Sequence, residues 1–193
     1  LGFATNEGAN ATGGVFLYDF NPSTGIVSNE LEVYNRSNGN SPYGVEFSRS
    51  GEKLYASVGG GFSGNDSSQL IQYDLSADDI ISSETIVNTS SSFSSGAIQI
   101  APDGKIYRAL FNFNNGDGSF LGVVNNPELA GIACNYVEQG FSVNNPATAI
   151  TEASRIGLPP FIQSLFAEKV DIIDTDNDPT TVESSLSLCE GDT

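Results

Sequence analysis

Three aspartates at alternate positions in "DTDNDP", Asp174, Asp176 and Asp178, have the spacing of calcium loops, because a hard cation collects several carboxylate oxygens. The EF-hand pattern is not completed, since Pro179 stands where its Gly belongs and the distant Glu is misplaced. The same stretch also reads as a hydrated acidic linker. Two loops of similar make-up offer a second chemistry: "GGGFSGNDSS" (59–68) and "FNFNNGDGS" (111–119). Phe62, Phe111 and Phe113 could stack on sugar rings, and Asn65, Asp66, Asn115 and Asp117 could bind hydroxyls. Asp66 and Asp117 could instead help to hold a cation, and both loops could be no more than long connections. Paired carboxylates would be the machinery of a glycosidase. Of the two considered, Asp19 and Glu46, Glu46 alternates with inward apolar neighbours and is expected on an exposed strand face.

Composition removes other chemistries. There is no His, so no His-dependent triad and none of the commonest metal ligands. Cys134 and Cys189 stand far apart, which excludes a CxxC motif; Cys134, in "GIACNYV", fits a small buried hydrophobe. Seven Lys and Arg against 24 Asp and Glu give a formal net charge of −17. The few cations are scattered, which argues against nucleic acid and anionic membrane surfaces. No apolar run is long enough for a membrane helix, and no Gly-rich phosphate loop or nucleophile elbow is present.

The elements that must position these loops are written as a repeat. "GVEFSRSGEKLYA" (44–56) matches "AIQIAPDGKIYRA" (97–109), with Val45 on Ile98, Phe47 on Ile100, Gly51 on Gly104 and Tyr55 on Tyr107. "VFLYDF" (15–20) matches "LIQYDL" (70–75), and "FLGVVNN" (120–126) is a worn third copy. The alternation predicts half-buried strands, with Val45, Phe47, Leu54, Ile98, Ile100 and Ile106 inward. Gly51 and Gly104 stand where a tight turn needs positive φ. Each unit then has a hairpin, a "YDL"-type strand and a polar link holding a fourth strand.

Four strands per unit of about fifty residues is the pattern of a β-propeller blade. A β-sandwich with two similar hairpins is the competing architecture. The chain holds roughly three and a half such units, whereas propellers close with about four to eight. The expectation is an all-β chain: residues 1–166 the last three to four blades of a larger propeller, 167–183 an acidic linker, and 184–193 the start of an immunoglobulin- or PKD-like domain. "LGFATN" lacks an initiator Met and a basic leader, and both ends read as cut or processed. Tyr55 and Tyr107 should have like surroundings.

"SPYGVEFSRSGEKLYAS", "QLIQYDLSA", "IQIAPDGKIYRA", "LGVVNNPELAGIACNYVEQGFSV" and "GLPPFIQSLF", in that order, resemble the propeller-like region of large surface proteins of gliding Bacteroidetes. "SRSGEK" departs from the usual Pro-Asp turn, and Arg108 stands where a small or aliphatic residue is common. The resemblance implies export by the type IX secretion system, a place outside the cell, and roles in adhesion and gliding. It supplies no catalytic motif. The function expected is a non-catalytic binding or scaffold segment of a surface adhesin, its partners surface glycans or another protein of a surface complex, with calcium the cation in question. Remaining blades and downstream β-domains would complete the polypeptide. A structural accessory subunit, or a propeller hydrolase or lyase acting on polysaccharide, are the alternatives.

Overall fold

The repeated phrase folds twice into the same hairpin, at the same place in two successive sheets. The computed structural model describes residues 2–4, 13–35, 41–59, 67–144 and 153–158. Strands β1 (Gly2–Ala4), β2 (Gly14–Asn21) and β3 (Ile26–Asn35) form a first antiparallel sheet. A second sheet is the meander β4 (Ser41–Phe47), β5 (Lys53–Gly59), β6 (Ser68–Asp74) and β7 (Thr85–Ser90). The third is the same meander again: β8 (Ile98–Ile100), β9 (Ile106–Ala109), β10 (Phe120–Val124) and β11 (Tyr136–Ser142). The chain is all-β, and its helical content among the described residues is two short 3-10 turns at Ile81–Ser83 and Gly131–Cys134.

The registers agree residue by residue. Phe47 pairs with Leu54 and Val45 with Ala56, just as Ile100 pairs with Ile106 and Ile98 with Arg108. Both turns close through a glycine: Gly51 (φ 76°) donates to the Ser48 carbonyl and Gly104 (φ 80°) to that of Ala101. A side chain is strained in that left-handed region, which explains the shared glycine. The "YDL" strand and its two relatives are β6 and β10, each the third strand of its four-stranded sheet, and β2, the middle strand of the three-stranded one. Tyr18 and Tyr73, matched in the alignment, both donate their hydroxyl to a glutamate, Glu30 and Glu84.

Alternation turns the second sheet into a middle layer, buried on both faces. Leu54, Ala56, Val58, Ile71 and Tyr73 pack on one side against Val15, Val33 and Tyr34 of the first sheet. Tyr55 and Leu70 pack on the other side against Ile98, Ile100, Ile106, Val124 and Cys134 of the third. Every residue of β5 is therefore buried. The predicted inward residues hold: Val45, Phe47 and Leu54 face the preceding sheet, as Ile98, Ile100 and Ile106 do. First strands approach closely, and a Cβ on Gly44 would lie 3.0 Å from the Ile98 nitrogen. One step on, the Ala97 N–H donates to the Ile156 carbonyl at 2.7 Å, which sets residues 153–158 beside the start of the third sheet.

The expectation of like surroundings for Tyr55 and Tyr107 fails. Tyr55 and Tyr107 share a register position, opposite Glu46 and Gln99, but not an environment. Tyr55 is wholly buried, its hydroxyl donating to the Pro127 carbonyl. Tyr107 is half-buried on the outer face of the third sheet, edge-on to Phe141 (51% exposed), and its hydroxyl turns back to Asp103. The cause is position in the stack: the third sheet covers the Tyr55 face, and Tyr107 has no such layer over it among the described residues. The two hairpins lie in separate stacked sheets, not in one.

Asp74 ties the turn end of β5 to β6. Its carboxylate accepts from the Ser76 hydroxyl and N–H and from Lys53 Nζ at 3.0 Å. The Ser76 hydroxyl first, then Lys53, hold it down to about 2 from its ordinary 3.8. A depressed carboxylate stabilises the fold fully above its unfolded value and loses that share as the pH falls through its folded one. Asp74→Asn should therefore differ from the parent at pH 5, approach it as the pH falls from about 4 to 2, and converge with it only below about pH 2, as read from urea midpoints across that range.

Candidate functional site

The strand directions put three of the connections on one edge of the stack. The β5–β6 connection leaves from paired Gly59 and Ser68, the β7–β8 segment follows Ser90, and the β9–β10 loop follows Ala109, all at the edge opposite the Gly51 and Gly104 turns. Phe62, Asn65 and Asp66 lie outside the described residues, as do Asp174, Asp176, Asp178 and Cys189 and the boundaries proposed at 166, 183 and 193. Phe111, Phe113, Asn115 and Asp117 come together in the β9–β10 loop.

That loop is held by its own polar groups. Asn112 Oδ1 accepts from the N–H groups of Asn114 and Asn115, Asn115 Oδ1 accepts from Asp117, and Asp117 Oδ1 accepts from Ser119. The Ser119 N–H and then its hydroxyl hold the Asp117 carboxyl below its ordinary value. These side chains imitate backbone turns, as Asn and Asp commonly do. Phe111 is buried, bridges to Ser94, and carries the Arg155 guanidinium 4.6 Å above its ring. Phe113 stands edge-on to Phe111, centroids 4.9 Å apart, and is 39% exposed. The Ser154 N–H donates to the Gly118 carbonyl and its hydroxyl to that of Leu110, which fixes Arg155 over the loop. Phe113 and Arg155 are thus the groups a ligand would meet, with Asn115 and Asp117 engaged as scaffold.

The opposite edge carries a clasp between the second and third sheets. Gln72 Nε2 donates to the Tyr55 hydroxyl at 2.6 Å and to the Leu129 carbonyl at 2.8 Å, and its Oε1 accepts from Gly131. Ser50 donates through its N–H and hydroxyl to Glu128, and Arg49 to the Pro102 carbonyl. Cys134 is a free thiol in the core beside them, its pKa raised by burial, as expected of a small hydrophobe. Burial likewise pushes the Tyr55 phenol far above its ordinary value. Glu46 is not on an exposed face: half-buried, it accepts from the Ile100 N–H of the third sheet at 2.9 Å. It shares the Tyr55 face, so it crosses the seam.

Sequence reasoning missed Arg108 as a functional group, although it noticed the departure. Arg108 takes the place of Ala56 and is the largest wholly buried side chain among the described residues. Its Nε donates to Ser57 and its Nη2 to Ser68 and the Gln69 carbonyl, all on the second sheet. A charged residue at a buried position of the repeat was the available signal. Among the described residues no group of three or more His, Cys, Asp or Glu is placed to hold a metal, and no helix is long and apolar enough to cross a membrane. No family model, curated protein or solved structure matches the chain.

Proposed function

We propose that the chain is a run of blades from a β-propeller and serves as a non-catalytic binding or scaffold segment of an extracellular bacterial adhesin of the gliding, type IX-secreted kind. The observation that carries the architecture is that repeat-matched residues face the same way in successive sheets, each on the sheet before it. The adhesin reading adds the resemblance to gliding-bacterial surface proteins and the exposure of Phe113 and Arg155 at the β9–β10 loop. Phe113 and Arg155 are the contacts proposed for a glycan, the ring stacking on a sugar face and the guanidinium binding hydroxyls or a sugar acid. Calcium is the cation proposed for Asp174, Asp176 and Asp178.

Glycan-array binding of the full chain, with calcium and with chelator, tests the function. Saturable binding that Phe113→Ala weakens about tenfold, with a loss of stability of about 0.5–1.5 kcal/mol for the ring pair with Phe111 and the chain still folded, is the expected result. Turnover of a polysaccharide would replace the adhesin reading by the hydrolase one. The accessory-subunit reading has one observation in its favour, the apolar outer face of the third sheet around Tyr107, Val137 and Phe141. A dispersed monomer by gel filtration counts against it.

A further inference from the structure

A cation without solvent needs a counter-charge, and Arg108 has none in contact. Its bonded acceptors, Ser57 Oγ at 3.0 Å, Ser68 Oγ at 2.7 Å and the Gln69 carbonyl at 3.3 Å, are all neutral. The direct ion pair among the described residues is Lys53–Asp74. Arg108 Nη1 is buried with no hydrogen-bond partner, and so are Asn88 Oδ1, the Tyr136 hydroxyl and Glu138 Oε1.

The register collects these four atoms in one seam. Arg108 pairs directly with Gly122, so both face the second sheet. The β10–β11 register shifts between Leu121 and Val123, whose partners are Phe141 and Val137, and this places the bulge around Glu138 opposite Gly122. The Tyr136 hydroxyl lies over Gly122, where it leaves no room for a Cβ. Burial raises the pKa of that hydroxyl; the Arg108 guanidinium lies close enough to lower it by charge and as a hydrogen bond too poorly aligned to satisfy either group, while the Glu138 charge raises it. From the second sheet, Asn88 pairs with Leu70, whose side chain lies in the same seam, next to the Gln69 carbonyl that Arg108 binds.

We propose that this seam is a binding site for ordered water, through which Glu138 neutralises Arg108 between the second and third sheets. The unfilled capacity is one donor group, two acceptor oxygens and a hydroxyl that can be either. Water matches it, because a buried water makes about three hydrogen bonds, giving and receiving. An anion would sit against Glu138 and the Asn88 oxygen, and a cation against Arg108. The site also makes the sheet pairing specific. Ser57, which receives Arg108, is matched in the third sheet by Ala109, so the outer face of the third sheet lacks that receptor. Arg108 is thus a key for one seam of the stack.

The test is a double-mutant cycle in urea on the full chain, with Arg108→Met and Glu138→Gln. Each single change should lower the folding constant at least tenfold, and the double variant should fall short of the product by about tenfold, a coupling within the range of residues in one network. Effects that multiply within twofold would overturn the proposal. A high-resolution structure of the parent chain needs no variant to fold. Water bonded to Arg108 Nη1 and Glu138 Oε1 supports the site. A direct Arg108–Glu138 contact, or a buffer anion on Nη1, refutes it.

Discussion

Leu54→Ala and Ile106→Ala should each cost about 2–5 kcal/mol, the usual range for emptying a filled core position. Both side chains are wholly buried, and they are repeat partners: Leu54 pairs with Phe47 and packs on the first sheet, Ile106 pairs with Ile100 and packs on the second. Each is surrounded by stiff neighbours in a packed layer, so the cavity cannot collapse cheaply. The seams differ in what surrounds them, which makes the comparison informative. The Leu54 side is apolar but for tyrosine hydroxyls, and its loss is a plain cavity. The Ile106 side also holds Arg108 and Gln72, so loosening it exposes bonded polar groups to water and softens the loss. Leu54→Ala should therefore be the costlier of the two. Ile86→Ala, 51% exposed on β7, is the control and should stay near zero. Urea midpoints and slopes on the full chain measure all three. If the pair differ in slope as well as midpoint, the sheets unfold separately, as a chain of nearest-neighbour units allows.

Much of this stack was legible because period-two alternation and turn glycines are local signals. Val45, Phe47, Ile98 and Ile100 could be assigned inward from spacing alone, and Gly51 and Gly104 could be assigned to turns from the positive φ that the turn demands. What spacing cannot give is which layer lies over a face. Tyr55 and Tyr107 have the same neighbours in sequence and different ones in space, because the sheet that covers Tyr55 is supplied from about seventy residues downstream. Glu46 looked like a solvent-facing strand residue for the same reason. The loop residues Asn115 and Asp117 were recognised by type, but their use within the loop depends on turn geometry that composition does not encode. The mismatched positions of the repeat were the best unread signal. Where the copies agree, they build the common layer; where one copy alone turns polar, as at Arg108 against Ala56, it marks a contact peculiar to one seam.

Gln72→Leu should destabilise the chain by about 2–4 kcal/mol, through polar groups left behind more than through any cavity. The matched residues in the other two copies are Leu17 and Val123, so leucine suits the strand and the backbone should not object. Yet Gln72 is 3% exposed and makes three bonds: to the Tyr55 hydroxyl, to the Leu129 carbonyl and from the Gly131 N–H. A leucine leaves the last two without partners and removes the donor to Tyr55. Leu129 is half-exposed and Gly131 half-buried, so water recovers part of the loss, which holds the figure below three full desolvation penalties of about 1–3 kcal/mol each. Tyr55→Phe separates the terms. It keeps the Gln72 bonds to the third sheet and deletes the hydroxyl that donates to Pro127, so it should cost about 1–2 kcal/mol. Amide exchange gives the decisive reading. With Gln72→Leu the Gly131 N–H should lose protection while the β5–β6 amides keep theirs, because the clasp joins two sheets and does not build either one. Uniform loss across the second sheet would instead mean that Gln72 supports its own strand.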